Sequence, residues 1–422
     1  MQRLTTILEH GFQQARAEIS ELLNAHGDLV IDDVRLGQVL GGMRGMHCIV
    51  CDTSSVDPSV GLLIRGRPVI ELQDASPEEV FWLLLTGCQP DSADLQELQD
   101  ELEQRRSLPG YIRPLLTAMP ADSHPMTMFN AALLAMQHES HFAGAYHSTA
   151  KADLWRPALE DALDLLARMP LLAALVYRQR YGLPDVDIPA STDWTSGLAL
   201  GLLGREDQQF RAMLKRYVVV QSDHENGNVC ALSGHVTGST LADLYYAISA
   251  GLNGLAGHIH GLAAQDFVRF LDQLSADLGM DADEEQIRLA LEQRLAAGRV
   301  IPGFGHAVLR LADPRFEILY GYAAEQYLDH PSFRLASRVY RAGKKLLQDL
   351  GRAKNPYPNV DAITGVLLRL SGIPQLEFYT VLFGVSLSIG MLAQNVVSRG
   401  IGSPIVRPRS VPLAELRAAS RA

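Results

Sequence analysis

Apolar residues recur every three or four positions through most of the chain, which is the spacing of an amphipathic helix. The repeat predicts helices over Thr5–Leu23, Glu78–Leu85, Leu159–Tyr177, Gln208–Val219, Thr240–Leu252, Asp266–Leu278, Glu284–Ala296 and Phe316–Tyr327. The apolar stretch Phe378–Ala393 predicts a buried helix that falls short of the roughly 18–20 residues needed to span a bilayer. The expected fold class is therefore mostly α.

Strand patterns are confined to the N-terminal region. Cys48–Asp52 and Gly61–Arg65 favour strands, and the turn-rich Thr53–Ser59 separates them, so a small β-hairpin is expected there. The chain shows no strand–helix alternation, which argues against a Rossmann-type nucleotide-binding sheet.

Composition narrows the class of protein. With 422 residues, 47% hydrophobic and 20% charged, the chain is expected to form two lobes or one large helical body, not a membrane protein. Its net charge of −11 argues against nucleic-acid binding. Four scattered cysteines indicate a reducing compartment, and the first twenty residues lack the apolar core of a secretory signal. We therefore expect a cytoplasmic protein.

Two short N-terminal motifs are only weak evidence for a metal, redox or nucleotide-binding site. His47, Cys48 and Cys51 resemble a metal or redox motif, but a structural zinc site needs four ligands, so ordinary hairpin residues are the favoured interpretation. The glycines of 41–45 match neither a phosphate loop nor a dinucleotide fingerprint, although Arg44 could reach an anion.

Four blocks rich in glycine, histidine and charge carry more information. They are Asp-His-Glu-Asn-Gly-Asn at 223–228, Gly-Leu-Ala-Gly-His-Ile-His-Gly at 254–261, Pro-Gly-Phe-Gly-His-Ala-Val-Leu-Arg at 302–310 and Asn-Pro-Tyr-Pro-Asn-Val-Asp at 355–361. The glycines around 251–261 make a poor helix interior and imply a close backbone approach. In the last block, two prolines fix the backbone before a carboxylate.

In this order and spacing, the four motifs resemble citrate synthases of the eukaryotic-like branch. The resemblance extends to Gly41–Met46, Tyr379–Ser386 and Arg407–Ser410, and so covers nearly the whole chain. It implies a two-domain helical fold with a small N-terminal β-hairpin. Residues 1–260 and 366–422 would form the large domain, and 261–365 a small domain that closes over the ligands.

The resemblance also implies a reaction, the condensation of acetyl-CoA with a 2-oxo acid followed by thioester hydrolysis. A methyl proton is so weakly acidic that a carboxylate removes it only when the developing enolate oxygen is stabilised at the same moment. By resemblance, Asp361 is this base and His260 donates a hydrogen bond to the thioester oxygen. His306 would serve the carbonyl oxygen of the 2-oxo acid.

Further site positions follow from the same resemblance. Those implied for the 2-oxo acid are His224, Asn228, His258, Arg315, Phe383, Leu387 and Arg407, and those for coenzyme A are Arg44, Val300, Gly303, Gly305, Arg310, Lys354 and Asn359. The backbone of 300–305 would hold the adenine, and the cations would contact phosphates. Arg407 is expected to come from a partner subunit, which implies a homodimer. No metal and no permanently bound cofactor is expected, because coenzyme A acts as a co-substrate.

Three positions depart from the family pattern. Leu387 stands where the family has a carboxylate-binding arginine, His258 where it has proline, and Gly144 where it can have an arginine near the coenzyme A phosphates. Two substrates stay open: oxaloacetate, giving citrate, or an analogue such as phosphonopyruvate, giving 2-phosphonomethylmalate. A non-catalytic CoA-binding or regulatory relative is disfavoured, because such a protein has no chemical need for His260, His306 and Asp361.

Overall fold

The computed structural model describes residues 1–189, 191–225, 227–351 and 353–421, so Asn226 of the first motif lies outside the described residues. The helices in this part of the chain are α1 Gln2–His26, α2 Leu36–Leu40, α3 Pro77–Thr86, α4 Ser92–Arg105, α5 Ile112–Ala118, α6 Pro125–Ala135, α7 His141–Ala145, α8 Trp155–Arg180, α9 Trp194–Leu203, α10 Gln208–Val220, α11 Val229–Ser239, α12 Leu244–Leu255, α13 Ala263–Leu278, α14 Glu284–Ala296, α15 Pro314–Tyr327, α16 Pro331–Leu350, α17 Val360–Leu370, α18 Tyr379–Ile401 and α19 Leu413–Ala419. The strands are β1 Ser54–Asp57, β2 Gly61–Ile64 and β3 Arg67–Pro68. The mostly α prediction is confirmed.

Capping side chains explain where most helices in the described ranges begin. The predicted start of α12 at Thr240 is wrong, because the Asp243 side chain accepts a hydrogen bond from the Tyr246 backbone N–H at 3.1 Å and the helix begins at Leu244. The same helix includes Gly251, where a side chain would meet the Met391 sulfur at 2.5 Å. The close approach predicted from the glycines is thus found within a helix, through tight helix packing.

The N-terminal sheet differs from the predicted hairpin. Cys48–Asp52 is not a strand, and β1 lies inside the segment that was expected to be a turn. Strand β1 pairs antiparallel with β2, and β3 adds a third strand. The turn is shorter than expected because the Asp57 carboxylate accepts hydrogen bonds from the backbone N–H groups of Ser59 and Val60, at 2.7 and 3.0 Å.

Helix α18 forms the centre of the core. It packs against α1, α3, α8, α10, α11 and α12. The predicted buried helix is confirmed, but it extends beyond Phe378–Ala393, and Leu376–Ile401 is by length and composition long and apolar enough to cross a membrane. However, 83% of its apolar window is buried inside the protein. Gly400 permits this packing, since a side chain there would lie 2.4 Å from the Phe12 ring.

Helices α13 to α17 pack mainly on one another, with α13 against α17, α14 against α16 and α15 against α17. Helix α15 also contacts α10 and β2, so it joins this group to the rest of the chain. Two loops, one between α14 and α15 and the other between α16 and α17, lie within the group. These loops contain the third and fourth sequence motifs.

Candidate active site

Backbone hydrogen bonds hold the two loops together. The Asn359 N–H donates to the Gly303 carbonyl at 2.9 Å, and the Gly305 N–H donates to the Tyr357 carbonyl at 3.0 Å. Gly303 has φ of +73°, and a side chain there would meet Ala362 Cβ at 2.7 Å, so glycine is required. The pairing places the loop that carries His306 beside the N-terminus of α17, which carries Asp361.

His306 has a defined protonation state. Its Nδ1 accepts hydrogen bonds from the backbone N–H groups of Val308 and Leu309, at 3.1 and 3.0 Å. Burial lowers the pKa of this histidine, and the charge of Arg315 lowers it further. The neutral ring therefore has its single proton on Nε2, where it is a hydrogen-bond donor.

Asp361 lies in the first turn of α17, where its backbone N–H donates to the Asn359 side chain at 3.1 Å. Burial raises the pKa of Asp361 to about 6, and the charge of Arg315 opposes this shift. Such a carboxylate is mostly ionised at neutral pH, yet it is a stronger base than an ordinary aspartate.

Arg315 is a buried cation between these groups. Asp313 binds it through two hydrogen bonds, to Nε at 3.0 Å and to Nη2 at 2.8 Å. The Asp313 carboxylate also accepts from the backbone N–H of Arg315 itself and from that of Val360, at 3.0 and 3.3 Å. Asp313 was not predicted as a site residue, although the Asp-Pro pair that starts a helix was a detectable N-cap pattern.

His224 completes the cluster, with its ring centre 6.0 Å from that of His306. Burial, together with the charges of Arg315 and His306, lowers the pKa of His224 to about 3, so the ring is neutral. Its Nδ1 atom is buried and has no hydrogen-bond partner among the described residues. A buried polar atom of this kind is available to a ligand.

Asp223 and Asn228 fix the position of His224. Asp223 is fully buried and accepts hydrogen bonds from the His224 backbone N–H at 2.9 Å, Thr53 Oγ1 at 2.8 Å and Gln394 Nε2 at 2.6 Å. Asn228 Nδ2 donates to the His224 carbonyl at 2.8 Å. Asn228 thus holds the backbone of His224 in place, and its role toward a substrate stays a prediction.

His260 lies on the glycine turn that follows α12. Its Nε2 is 3.1 Å from the Cys230 sulfur, which is itself 2.7 Å from Asn228 Oδ1. Its ring meets that of Phe383 edge to face at 6.2 Å, and burial lowers its pKa. Cys230 was not predicted as a site residue, because nothing in the sequence connects residues thirty positions apart.

Leu387 lies one helical turn after Phe383 on α18. It is 1% exposed, so its side chain can offer a ligand nothing but apolar contact. This environment supports neither a charge nor a hydrogen bond at the position where the resemblance implies arginine.

The residues expected to bind coenzyme A fall into an exposed group and a partly buried group. Arg44, Arg310 and Lys354 are exposed, and Val300 is 76% exposed. The Arg310 Nη1 atom donates to the carbonyls of Val308 and Leu309, at 2.8 Å each, and so stabilises its own loop. Gly303, Gly305 and Asn359 hold the paired loops together.

His258 and Arg407 are not part of the cluster. Both are exposed, and Arg407 lies in the extended segment between α18 and α19. Within the described ranges, no three His, Cys, Asp or Glu side chains form a metal-binding group, and the four cysteines are free thiols. His47 instead lies 3.4 Å from Asp32.

A helical fold that gathers neutral histidines, a buried arginine and a carboxylate of raised pKa has the groups that a carbon–carbon condensing enzyme requires. The family model described as "Citrate synthase, C-terminal domain" matches residues 42–409. The chain belongs to the citrate synthase family, whose members are acyltransferases that convert the acyl group into an alkyl group on transfer.

Curated relatives match over most of their length. The chain is 39% identical to "Probable citrate synthase, mitochondrial" of Caenorhabditis elegans, over 96% of this chain and 90% of the relative. It is 40% identical to "Citrate synthase, mitochondrial" of Aspergillus niger, covering 93% and 85%, and 40% identical to "Citrate synthase, peroxisomal" of Saccharomyces cerevisiae, covering 93% and 88%.

Solved structures confirm the fold. Citrate synthase from Pyrobaculum aerophilum superposes with a TM-score of 0.78 at 26% identity, over 89% of this chain and 95% of that chain. A citrate synthase from Thermoplasma acidophilum, in ternary complex with carboxymethyl coenzyme A and oxaloacetate, gives a TM-score of 0.75 at 23% identity, over 91% and 100%.

The relatives contradict the expected cytoplasmic location, because their names place them in mitochondria or peroxisomes. The prediction was wrong because free cysteines exclude an oxidising compartment without distinguishing one reducing compartment from another.

Proposed function

We propose that this protein condenses acetyl-CoA with a 2-oxo acid, oxaloacetate or a close analogue, and hydrolyses the resulting thioester. The observation that carries this proposal is the cluster of neutral His306, buried Arg315 and Asp361, whose pKa is raised to about 6. It supplies a base, a neutral donor and an anion-binding cation in one place.

Each group has a role that follows from its state. Asp361 removes a methyl proton from acetyl-CoA while His260 donates a hydrogen bond to the thioester oxygen. The carbanion forms a bond to the carbonyl carbon of the 2-oxo acid, the carbonyl π electrons move onto the oxygen, and this oxygen takes the Nε2 proton of His306 to become the hydroxyl group. Arg315 binds a substrate carboxylate. Water then cleaves the thioester and releases coenzyme A, which is a co-substrate here and not a bound cofactor.

Leu387 favours a second candidate within the same reaction. Loss of a charged contact to a bound anion costs on the order of 2–5 kcal/mol when nothing replaces it. A buried leucine at this position therefore favours a 2-oxo acid in which another group replaces one carboxylate. Phosphonopyruvate, in which a phosphonate replaces one carboxylate, is the candidate of this kind, and its product would be 2-phosphonomethylmalate. Because a phosphonate is also anionic, this candidate requires a cation other than residue 387 to pair with it.

The test is coenzyme A release from acetyl-CoA with oxaloacetate, phosphonopyruvate, pyruvate, 2-oxoglutarate or glyoxylate. Turnover with oxaloacetate alone supports citrate formation and excludes the altered substrate. Preference for phosphonopyruvate, with improved use of oxaloacetate by Leu387→Arg, supports the second candidate. If no coenzyme A were released with any of the acids, the result would favour a non-catalytic CoA-binding relative.

We further propose that the protein acts as a homodimer in which Arg407 reaches the partner's site. Two features support this proposal: Arg407 is exposed, and apolar side chains are exposed nearby in sequence, with Ile405 54% and Leu413 56% exposed. Leu29, Val30 and Ile31 are also exposed, by 64–72%.

Subunit mixing tests this arrangement. Asp361→Asn and Arg407→Ala subunits are each expected to form weakly active dimers, whereas mixed dimers contain one intact site. When the two variants are refolded together and pair at random, about half of the dimers are mixed. Activity should therefore return to about a quarter of all sites. A mixture no more active than its components would exclude a shared site.

Residues 261–365 are proposed as a small domain that closes over the ligands. The mutual packing of α13 to α17 supports this division, although α17 continues to Leu370, beyond the proposed boundary. Small-angle scattering should show a smaller radius of gyration with oxaloacetate and a coenzyme A analogue bound.

A further inference from the structure

Cys48 and Cys51 lie in a segment without regular structure. Residues 47–52 belong to no helix or strand, and the chain bends at Ile49. Cys48 is exposed and Cys51 is half-buried, and both are free thiols. A disulfide needs Cα atoms about 4.4–6.8 Å apart, a separation that two cysteines three positions apart adopt in a turn. Since no backbone ladder holds this segment, such a turn can form without disrupting the sheet.

The Cys51 thiol begins a buried hydrogen-bonded chain. Its sulfur lies 3.4 Å from Thr53 Oγ1, and that hydroxyl donates to the Asp223 carboxylate at 2.8 Å. Because the hydroxyl has one proton and directs it to Asp223, the thiol is the donor to the hydroxyl oxygen. Asp223 in turn accepts the backbone N–H of His224 at 2.9 Å.

A disulfide has no S–H proton, so oxidation of Cys51 removes the donor at the start of this chain. Movement of the sulfur toward Cys48 also leaves Thr53 facing a small cavity of about 20 Å³, lined by Cys51, Gln394 and His235. A space of this size admits about one water molecule. The support of Asp223, and through it the position of His224, is then weakened.

We propose that Cys48 and Cys51 form a reversible dithiol–disulfide site coupled to His224 through Thr53 and Asp223. The oxidant is a low-molecular-weight disulfide. The exposed Cys48 thiolate attacks one of its sulfurs and releases one thiol, giving a mixed disulfide. The Cys51 thiolate then attacks the Cys48 sulfur and releases the second thiol. The two cysteines lose two protons and two electrons, and the oxidant is reduced to two thiols.

The first test is chemical and does not depend on the proposed function. The protein is incubated with oxidised glutathione, digested and analysed by mass spectrometry. The expected product is a peptide that contains Cys48 and Cys51 and has lost two hydrogen atoms, and it reverts with dithiothreitol. A stable glutathione adduct on Cys48 without ring closure would overturn the proposal.

The second test measures the coupling. Hydrogen exchange should increase after oxidation in peptides that contain Asp223. In the condensation assay, which rests on the proposed function, KM for the 2-oxo acid should rise roughly fivefold, the equivalent of one hydrogen bond. The assay follows loss of the thioester instead of free thiol, so that the oxidant does not interfere.

Three variants complete the design. Cys48→Ser should retain full activity and become insensitive to the oxidant, since Cys48 is exposed and belongs neither to the hydrogen-bonded chain nor to the catalytic cluster. Cys51→Ser keeps a hydroxyl donor beside Thr53 and should also become insensitive to the oxidant. Cys88→Ser removes an exposed cysteine elsewhere, and this variant should respond to the oxidant in the same way as the protein without a substitution. Oxidant sensitivity that persists in Cys51→Ser, or a disulfide that leaves both exchange and KM unchanged, would overturn the coupling. An inactive reduced protein that still forms the disulfide would refute the proposed function alone.

Discussion

Two regions of the proposed site are built in different ways. In the paired loops, backbone hydrogen bonds and a buried ion pair fix His306, Asp361 and Arg315. In the region expected to bind coenzyme A and the partner, Arg44 and Lys354 are exposed. The proposed acid–base groups are therefore already arranged in the ligand-free chain. The proposed phosphate contacts, in contrast, depend on exposed side chains, which the proposal expects to become ordered only when the ligand binds.

The largest effect is expected from Asp361→Asn. An amide cannot accept the methyl proton, so kcat should fall by roughly 10²–10⁴. Coenzyme A affinity, measured by calorimetry, should stay within about twofold, because the exposed cations remain. Asp349→Asn, which changes an exposed carboxylate on α16, should leave both values unchanged. Retained activity in Asp361→Asn would show that Asp361 is not the base.

The same variant should be more stable at neutral pH. Burial raises the pKa of Asp361 from 3.8 to about 6, so the folded state favours the protonated acid. The protonated Asp361 therefore contributes stability to the folded state below pH 3.8, and this contribution is lost as the pH rises through about 6. Urea unfolding at pH 7 should therefore show a gain of up to about 3 kcal/mol for Asp361→Asn, and almost none at pH 4.

Asp313→Asn tests the ion pair in the preformed region. Removing one partner of a buried pair costs about 3–5 kcal/mol, because the other charge stays buried. The free energy of unfolding should fall by this amount, and KM for the 2-oxo acid should rise as Arg315 loses its orientation. Asp281→Asn is a suitable control, since its contact with Arg334 is exposed and 3.9 Å long. Equal effects of the two changes would contradict a special role for Asp313.

Gly303→Ala tests the loop pairing. Both Gly303 and Gly298 have positive φ, but a side chain at Gly303 meets Ala362 and Phe267 within 2.8 Å, whereas at Gly298 it meets open space. Gly298→Ala should therefore cost about 1 kcal/mol from backbone strain alone. Gly303→Ala should cost roughly 1–3 kcal/mol more and lower kcat.

The smallest effect is expected from Lys354→Ala. An exposed cation that contacts a phosphate contributes less than about 1 kcal/mol, so KM for acetyl-CoA should rise at most about fivefold. The increase should shrink at high salt. Lys151→Ala, on the surface before α8, is the matched control and should change nothing.

Apolar periodicity in the sequence predicted nine of the nineteen α-helices in the described ranges and missed others, among them the long α16. The site residues were implied by the family resemblance and stay predictions. Glu284–Ala296 was predicted with its observed ends from its apolar periodicity, and in the structure Asp283 and Gln286 form a capping box that fixes its start. The motifs also marked the paired loops, since glycine and proline there reflect backbone needs. Long-range contacts were not predictable: nothing local connects Thr53 with Asp223, or Cys230 with His260. The strand Ser54–Asp57 was missed because its side chains are mostly polar.

The central claim is that the acid–base groups are preformed in a single ligand-free chain. The most direct measurement is ¹⁵N NMR of the histidine rings without ligand, with His306→Asn used to assign the signals. We expect His306 to titrate below the ordinary histidine range, because burial and the charge of Arg315 lower its pKa, and to be neutral with its proton on Nε2 at about pH 7 to 8. A ring protonated on Nδ1, or one that titrates near pH 6.5, would contradict the account.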